Sequence, residues 1–354
     1  MFSVGNVTLP PLFLAPMAGI SDLAFRLINR SLGCGFAFTE MISAHSLVYR
    51  NKTTLKMLSS SPNDRPLGVQ IVGSDPEIIK RSLDILLEHA FDSIDLNAAC
   101  PVNKVISKGE GAGLLREPLK LQKLLSVIVR NAGVPVTVKI RSGWDETSVN
   151  AMEVALRAQD AGVSGIILHG RTREQGYSGN VDYNIIRKVK ESVQIPLMAS
   201  GDALTPDLIR KLFTETGCNA VAVARGALGN PWIFNATSEY LKSGRIPLKP
   251  SVYEKAQTMK DHLDLLVAFR GEMTGVILFR KLFVWYSRGM AAKRLRIRAF
   301  QAVSRDEMMQ LISELEGLSA TEAAEDARFI SGNKRPENHA PGASTQDAEP
   351  PFIQ

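Results

Sequence analysis

Cysteine is scarce in this 354-residue chain, with three residues at positions 34, 100 and 218. They are far apart and form no Cys-x-x-Cys pair. This excludes a disulfide framework, offers nothing for zinc or an iron–sulfur cluster, and fits a reducing cytoplasm. No apolar run reaches the roughly 18 residues needed to span a bilayer. The start, MFSVGNVTLPP, lacks the basic and apolar regions of a secretory leader, so neither a signal peptide nor a membrane partner is expected. A Gly-x-Gly-x-x-Gly fingerprint is also missing after the first strand-like run, where PMAGISD stands instead. That weighs against a doubly wound dinucleotide-binding sheet.

The chain does have apolar residues, 45% of the total, enough for a large core in two domains or in one barrel with an appendage. Short runs recur between helix-like stretches: LFLA (12–15), FAFTE (36–40), LGVQIV (67–72), SIDLN (93–97), VTVKI (136–140), GIILHG (165–170), PLMAS (196–200) and AVAVA (220–224). They are apolar almost throughout, as parallel strands buried on both faces are. Helical spacing marks 76–90, which opens on Pro76, and 117–133, which ends in Asn-Ala-Gly. Eight βα units in about 240 residues is the count and size of a (β/α)8 TIM barrel. We expect the barrel over residues 1–245 and a small C-terminal helical domain over 251–317, with Ser304 as an N-cap. A disordered, polar tail is expected over 318–354.

Charge is unevenly distributed. The net value is +6, but residues 251–305 carry eleven Lys and Arg against four Asp and Glu, whereas 306–354 carry three against ten. A compact basic segment suits a polyanion partner, although a solvated helix face has the same composition.

In such a barrel, reactive groups sit at the C-terminal ends of the strands. Those ends supply Pro16, Met17 and Ala18, then Glu40, Gln70, Asn97 with Cys100, Lys139 with Arg141, His169 with Arg171, Ser200-Gly201-Asp202 and Ala224-Arg225-Gly226. Wet strand ends account for any one of these, but hardly for the whole set. Glycines beside backbone amides in the last two loops, with Arg225, suit a phosphate. Lys139 stands in an apolar run, where a cation needs an anion or a polarised ring. FMN meets these demands, with its phosphate at the last two loops, its N1–C2 edge at Lys139 and its amide-like edge at Gln70. Other phosphorylated ligands remain open on chemistry alone.

The stretches APMAGISDLAFR (15–26), NAACPVNK (97–104), VKIRSGW (138–144), HGRTREQGYSG (169–179), ARGALGNPWIF (224–234) and FRKLFVWYSRG (279–289) together resemble bacterial tRNA-dihydrouridine synthases, the B-type subgroup in particular. The resemblance covers about residues 1–305. It implies an FMN-binding barrel with a tRNA-holding helical domain, which reduces a D-loop uridine with NADPH. Carried over by position, the flavin contacts are Pro16, Met17, Ala18, Gln70, Lys139 and His169. The phosphate and its neighbours meet Ser200, Gly201, Asp202, Ala224 and Arg225. Cys100 is the catalytic acid, Asn97 orients the uracil or flavin, and Arg141, Arg171 and Tyr177 border the substrate. Lys293, Arg294 and Arg298 are expected on the RNA surface.

The sequence departs from the family pattern in two places. Ala98-Ala99 stands where Met-Gly is frequent, so the turn before Cys100 must be one that Ala can adopt. Ser200 stands where Asn is frequent and offers a hydroxyl in place of an amide. A lone thiol at a strand end, ahead of Pro101 and the Gly-rich stretch 104–115, fits a general acid under a closing loop. Cys34 and Cys218 are expected to be buried and inert. Two rival readings remain: an FMN-dependent dehydrogenase of a free pyrimidine, like dihydroorotate dehydrogenases, and a non-catalytic RNA-binding protein on a degenerate barrel.

Overall fold

The computed structural model describes residues 1–318; all but the first residue of the expected tail lies outside them. The eight apolar runs form a closed, all-parallel barrel. Its strands are β1 (Leu12–Leu14), β2 (Ala37–Ser43), β3 (Leu67–Val72), β4 (Ser93–Ala98), β5 (Val136–Arg141), β6 (Gly165–His169), β7 (Leu197–Ser200) and β8 (Ala220–Val223), and β8 pairs with β1. β3 and β4 are buried at every position, because helices cover one face and the barrel interior the other. Capped helices return the chain between strands. Asp75 accepts from the amides of Glu77 and Ile78 ahead of Pro76, and Thr205 does the same for Leu208 ahead of Pro206. The helix expected over 76–90 stops at Leu86. His89 and Phe91 then donate to the carbonyls of Leu86 and His89, and this turn feeds the chain into β4.

The barrel interior is layered. Phe13, Phe36 and Phe38 pack edge to face or tilted, with centroids 4.9–5.9 Å apart, beside Ile167 and Met198. An antiparallel hairpin, Phe2–Val4 with Val7–Leu9, covers this layer, and its Gly5 lies against Pro135 and Ser164 at the starts of β5 and β6. Sequence reading missed the hairpin because strands of three residues carry too little periodicity. Buried polar residues also line the strands: Gln70, Asp95 and Thr137 within β3, β4 and β5, and His169 and Ser200 as the last residues of β6 and β7.

The C-terminal segment is helical: α1 (Val252–Arg270), α2 (Glu272–Tyr286), α3 (Lys293–Ala299) and α4 (Arg305–Glu316). Capping boxes at Ser251/Glu254 and Ser304/Glu307 start α1 and α4. These helices share one apolar core with the outer layer of the barrel. Phe25, on the helix Leu23–Ser31, packs 5.8 Å from the ring of His262. Polar contacts add to this: Arg270 donates to Asp22 at 3.2 Å, and the Lys281 ammonium donates to the Gly19 carbonyl at 2.5 Å. The helical unit thus grips the loop after β1.

It also meets the loop after β8. At Gly229, φ is +66°, and a Cβ would lie 2.3 Å from the backbone of Trp285. Gly229→Ala should therefore destabilise the protein by about 2 kcal/mol or more, through a forced left-handed alanine and overpacking. Denaturant unfolding would measure this, and an unchanged midpoint would show that the contact yields freely.

Candidate active site at the barrel mouth

β4 ends at Ala98, and the turn after it is held from several sides. The Asn97 side-chain oxygen accepts from the amides of Ala99 and Cys100 at 3.0 and 2.8 Å. Arg141, at the end of β5, donates through Nε to the Ala99 carbonyl at 2.8 Å. The Ala112 amide donates to the Cys100 carbonyl at 3.0 Å. Gly111, at φ +57°, lies so close that a Cβ would come within 2.9 Å of that carbonyl. Among the described residues only Arg50 and Asp202 are non-glycines with positive φ, so Ala98 and Ala99 sit in ordinary backbone and the departure from Met-Gly costs no strain.

The stretch expected to be a closing loop is partly anchored. Ala112, Leu114 and Leu115 are buried in the core, while Asn103, Lys104, Ser107 and Lys108 are exposed at the mouth. Burial raises the Cys100 thiol pKa, against the lowering fields of Lys139 and Arg141, so the thiol keeps its proton at neutral pH. Cys34 and Cys218 are buried, and burial raises their pKa values too, that of Cys34 to about 11.

Beneath this turn runs a buried chain that sequence reading did not single out. Asn97 Nδ2 donates to Gln70 Oε1 at 2.8 Å, and Gln70 Nε2 donates to Asp95 Oδ2 at 2.7 Å. The Thr137 hydroxyl donates to Asp95 Oδ1 at 2.6 Å. Burial lifts the Asp95 carboxyl to about 6, against these two hydrogen bonds and the Lys139 charge. The argument that marked Lys139 in an apolar run applies equally to an aspartate in SIDLN.

The rest of the mouth is cationic. Burial, and then Arg141, push Lys139 down to about 8. Burial and four neighbouring cations, Lys139, Arg141, Arg171 and Arg225, hold His169 well below the usual imidazole range, so it is neutral at physiological pH. Arg171 is buried and donates to both Asp202 oxygens, at 3.0 and 2.6 Å, and to the carbonyls of Ser178 and Gly179. Arg225 shares Asp202 at 3.0 Å. Arg141 also donates to the carbonyls of Thr172 and Gly176. The bonds of Arg141 and Arg171 thus brace loops, a use that strand-end position alone did not reveal. Tyr177 is half-exposed, with the guanidinium groups of Arg141 and Arg225 5.8 and 5.4 Å from its ring centroid.

The loops after β7 and β8 touch backbone to backbone. A Cβ on Gly226 would lie 2.1 Å from the Ala203 carbonyl, and one on Gly201, at φ +108°, would strike Val181 and His169. Ala224 leads into this contact, and Ser200 lies buried in register with His169 and Ala222. Glycine at 201 and 226 is what allows these two loops to approach so closely beside Arg225. After β1, Pro16 and Met17 are half-buried and Ala18 exposed, and this loop is folded by Met17 bonding Ser21. Glu40, from β2, accepts from the Gly19 amide, and burial raises its carboxyl pKa. The expected RNA-facing residues lie on α3. Lys293 and Arg294 are exposed there, but Arg298 is paired with Glu314 of α4, at 2.9 Å through Nη2.

A closed parallel barrel with a polar, cationic mouth at the strand C-termini defines a TIM-barrel protein whose candidate site lies at that rim. The family model for dihydrouridine synthase (Dus) matches residues 13–324, and the chain belongs to that family. Relatives include tRNA-dihydrouridine synthase B of Pseudomonas aeruginosa, 38% identical over 285 residues (80% of this chain, 86% of the relative). The protein of the same name from Pasteurella multocida is 36% identical over 306 residues (86% and 92%). Among solved structures, the 6-hydroxypseudooxynicotine amine oxidase HisD of Pseudomonas geniculata N1 superposes with TM-score 0.55 at 11% identity (86% of this chain, 66% of that one). Histamine dehydrogenase from Rhizobium sp. 4-9 gives 0.52 at 13% (73% and 50%). At these identities the two structures bear on the fold alone.

Removing the shared carboxylate in Asp202→Ala would leave buried Arg171 without its anion. We expect a loss of about 2–4 kcal/mol in unfolding free energy, less than for a fully buried pair because Asp202 is a quarter exposed. Equilibrium denaturation checks this; a loss below 1 kcal/mol would mean that the carbonyl contacts suffice.

Proposed function

We propose that this protein is a flavin-dependent tRNA-dihydrouridine synthase, which reduces the C5–C6 bond of a D-loop uridine with NADPH as reductant. The observation that carries the reading is the position of Cys100, whose turn is hydrogen-bonded at the mouth of a barrel whose other rim groups suit FMN. The glycine cradle with Arg225 and Asp202 suits the phosphate group. Lys139 and neutral His169 suit the polar edge of the ring, and Pro16, Met17 and Ala18 suit its flank. Gln70 retains one amide hydrogen beyond its bond to Asp95. When bound, FMN supplies to C6 the hydride it has received from NADPH.

The chain's own residues do the rest. Cys100 gives a proton to C5 as general acid, and its raised pKa keeps that proton available at neutral pH. Asn97 holds the turn, and Arg141 ties it to the loop carrying Tyr177, which flanks the base. Exposed Lys293 and Arg294 offer phosphate contacts, which position RNA without reading its sequence. The names of the relatives support tRNA as the substrate, and the reaction belongs in the cytoplasm. A free-pyrimidine reductase has no use for the basic helices.

The purified protein should be yellow and release FMN on denaturation; a colourless protein that cannot be loaded with flavin would sink the proposal. Cys100→Ala should keep flavin reduction by NADPH and lose about 10²–10⁴-fold in dihydrouridine formation on tRNA. Full activity on free uridine would favour the rival reading instead.

Lys139 is cationic below about 8 and neutral above it. Affinity of the apoprotein for FMN should therefore fall as pH rises through about 8, and Lys139→Met should abolish that dependence. Fluorescence titration across pH measures it, and identical profiles in the two proteins would remove Lys139 from the flavin site. On the RNA side, Lys293→Ala with Arg294→Ala should weaken tRNA binding and flatten its salt slope by about two contacts. Arg298→Ala should do less, since Glu314 already neutralises that arginine.

A further inference from the structure

Asp95 and Thr137 take no part in the chemistry above, yet they form the buried end of the hydrogen-bond chain that finishes at the Cys100 turn. We propose that Asp95 is a positioning residue for Cys100, acting through the side-chain amides of Gln70 and Asn97. The inference rests on the reading of Cys100 as the proton donor.

The argument is one of donor and acceptor polarity. The backbone amides of Ala99 and Cys100 can only donate, so the Asn97 oxygen must face them. That turns Asn97 Nδ2 toward Gln70, which must offer its oxygen, and leaves Gln70 Nε2 pointing at Asp95. An ionised carboxylate has no hydrogen to donate, so it accepts from Gln70 and Thr137 and fixes the direction of every bond in the chain. Either amide could otherwise flip. A flipped Gln70 would set one NH2 against another, and a flipped Asn97 would turn its NH2 toward the two backbone donors of the catalytic turn. Asp95 is fully buried, so in the native protein bulk solvent does not compete for these bonds. Lys139 is the charged group facing it, whereas Gln70 and Thr137 do not titrate.

The test uses the holoenzyme. Asp95→Ala should speed hydrogen exchange at the amides of Ala99 and Cys100 by about tenfold to a hundredfold, with the barrel strands unchanged. Uridine reduction by pre-reduced enzyme should slow by about the same factor, the scale of a misplaced reacting group. In the wild type, uridine reduction should fall as acid protonates Asp95 near pH 6. Thr137→Val keeps the shape but removes a bond that stabilises the carboxylate, so this acid limb should move to higher pH.

Wild-type exchange at both amides in Asp95→Ala would overturn the proposal. If that variant does not fold, coincident acid limbs in Thr137→Val and wild type would overturn it. Lost protection in Asp95→Ala, alongside full activity in Cys100→Ala, would uphold the positioning and remove the reading of the thiol as acid.

Discussion

Uncompensated positive charge at one end of the barrel sets the terms for everything else there. Lys139, Arg141, Arg171 and Arg225 converge around His169; Asp202 pairs with Arg171 and Arg225, and Asp95 acts on Lys139 through its field. Burial, and then repulsion from neighbouring cations, push the pKa values of Lys139, Arg141 and His169 down together. Such an arrangement favours an anion at the mouth, where it would offset charge that burial makes costly. Burial together with the field of these cations keeps His169 neutral, so it can bond a ligand without adding charge.

Cys100 shows two effects in opposition. Nearby cations favour a thiolate, whereas burial favours the thiol, and burial wins. A group meant to deliver a proton needs that outcome, and a nucleophile would need the reverse. Positional control is equally strong, because both carbonyls of the Ala99–Cys100 segment and both of its amides are bonded. The helical unit reaches the same mouth from outside. Arg270 and Lys281 grip the loop after β1, and Trp285 meets Gly229 after β8, so the helical unit is joined to two rim loops.

Much of this was legible in the chain itself. Eight strands could be read because a parallel barrel buries both faces of each strand, and unbroken apolar runs are the direct result. The rim residues followed from the strand ends, and Cys100 stood out because its strand ends in a polar turn. The N-terminal hairpin escaped notice because its strands are three residues long.

Tertiary structure decided who meets whom. Asp95 to Gln70, Asn97 to Gln70, Thr137 to Asp95 and Arg141 to Ala99 join residues 25 to 42 positions apart, and strand register alone brings them together. Arg141, Arg171 and Arg298 all read as contacts for a ligand. In the fold, carbonyls and carboxylates of the chain take up their guanidinium groups, because a buried or half-buried cation binds the nearest acceptors before any ligand arrives. Composition and strand order are local properties and survive in the sequence; the partner of each charge is a property of three-dimensional packing.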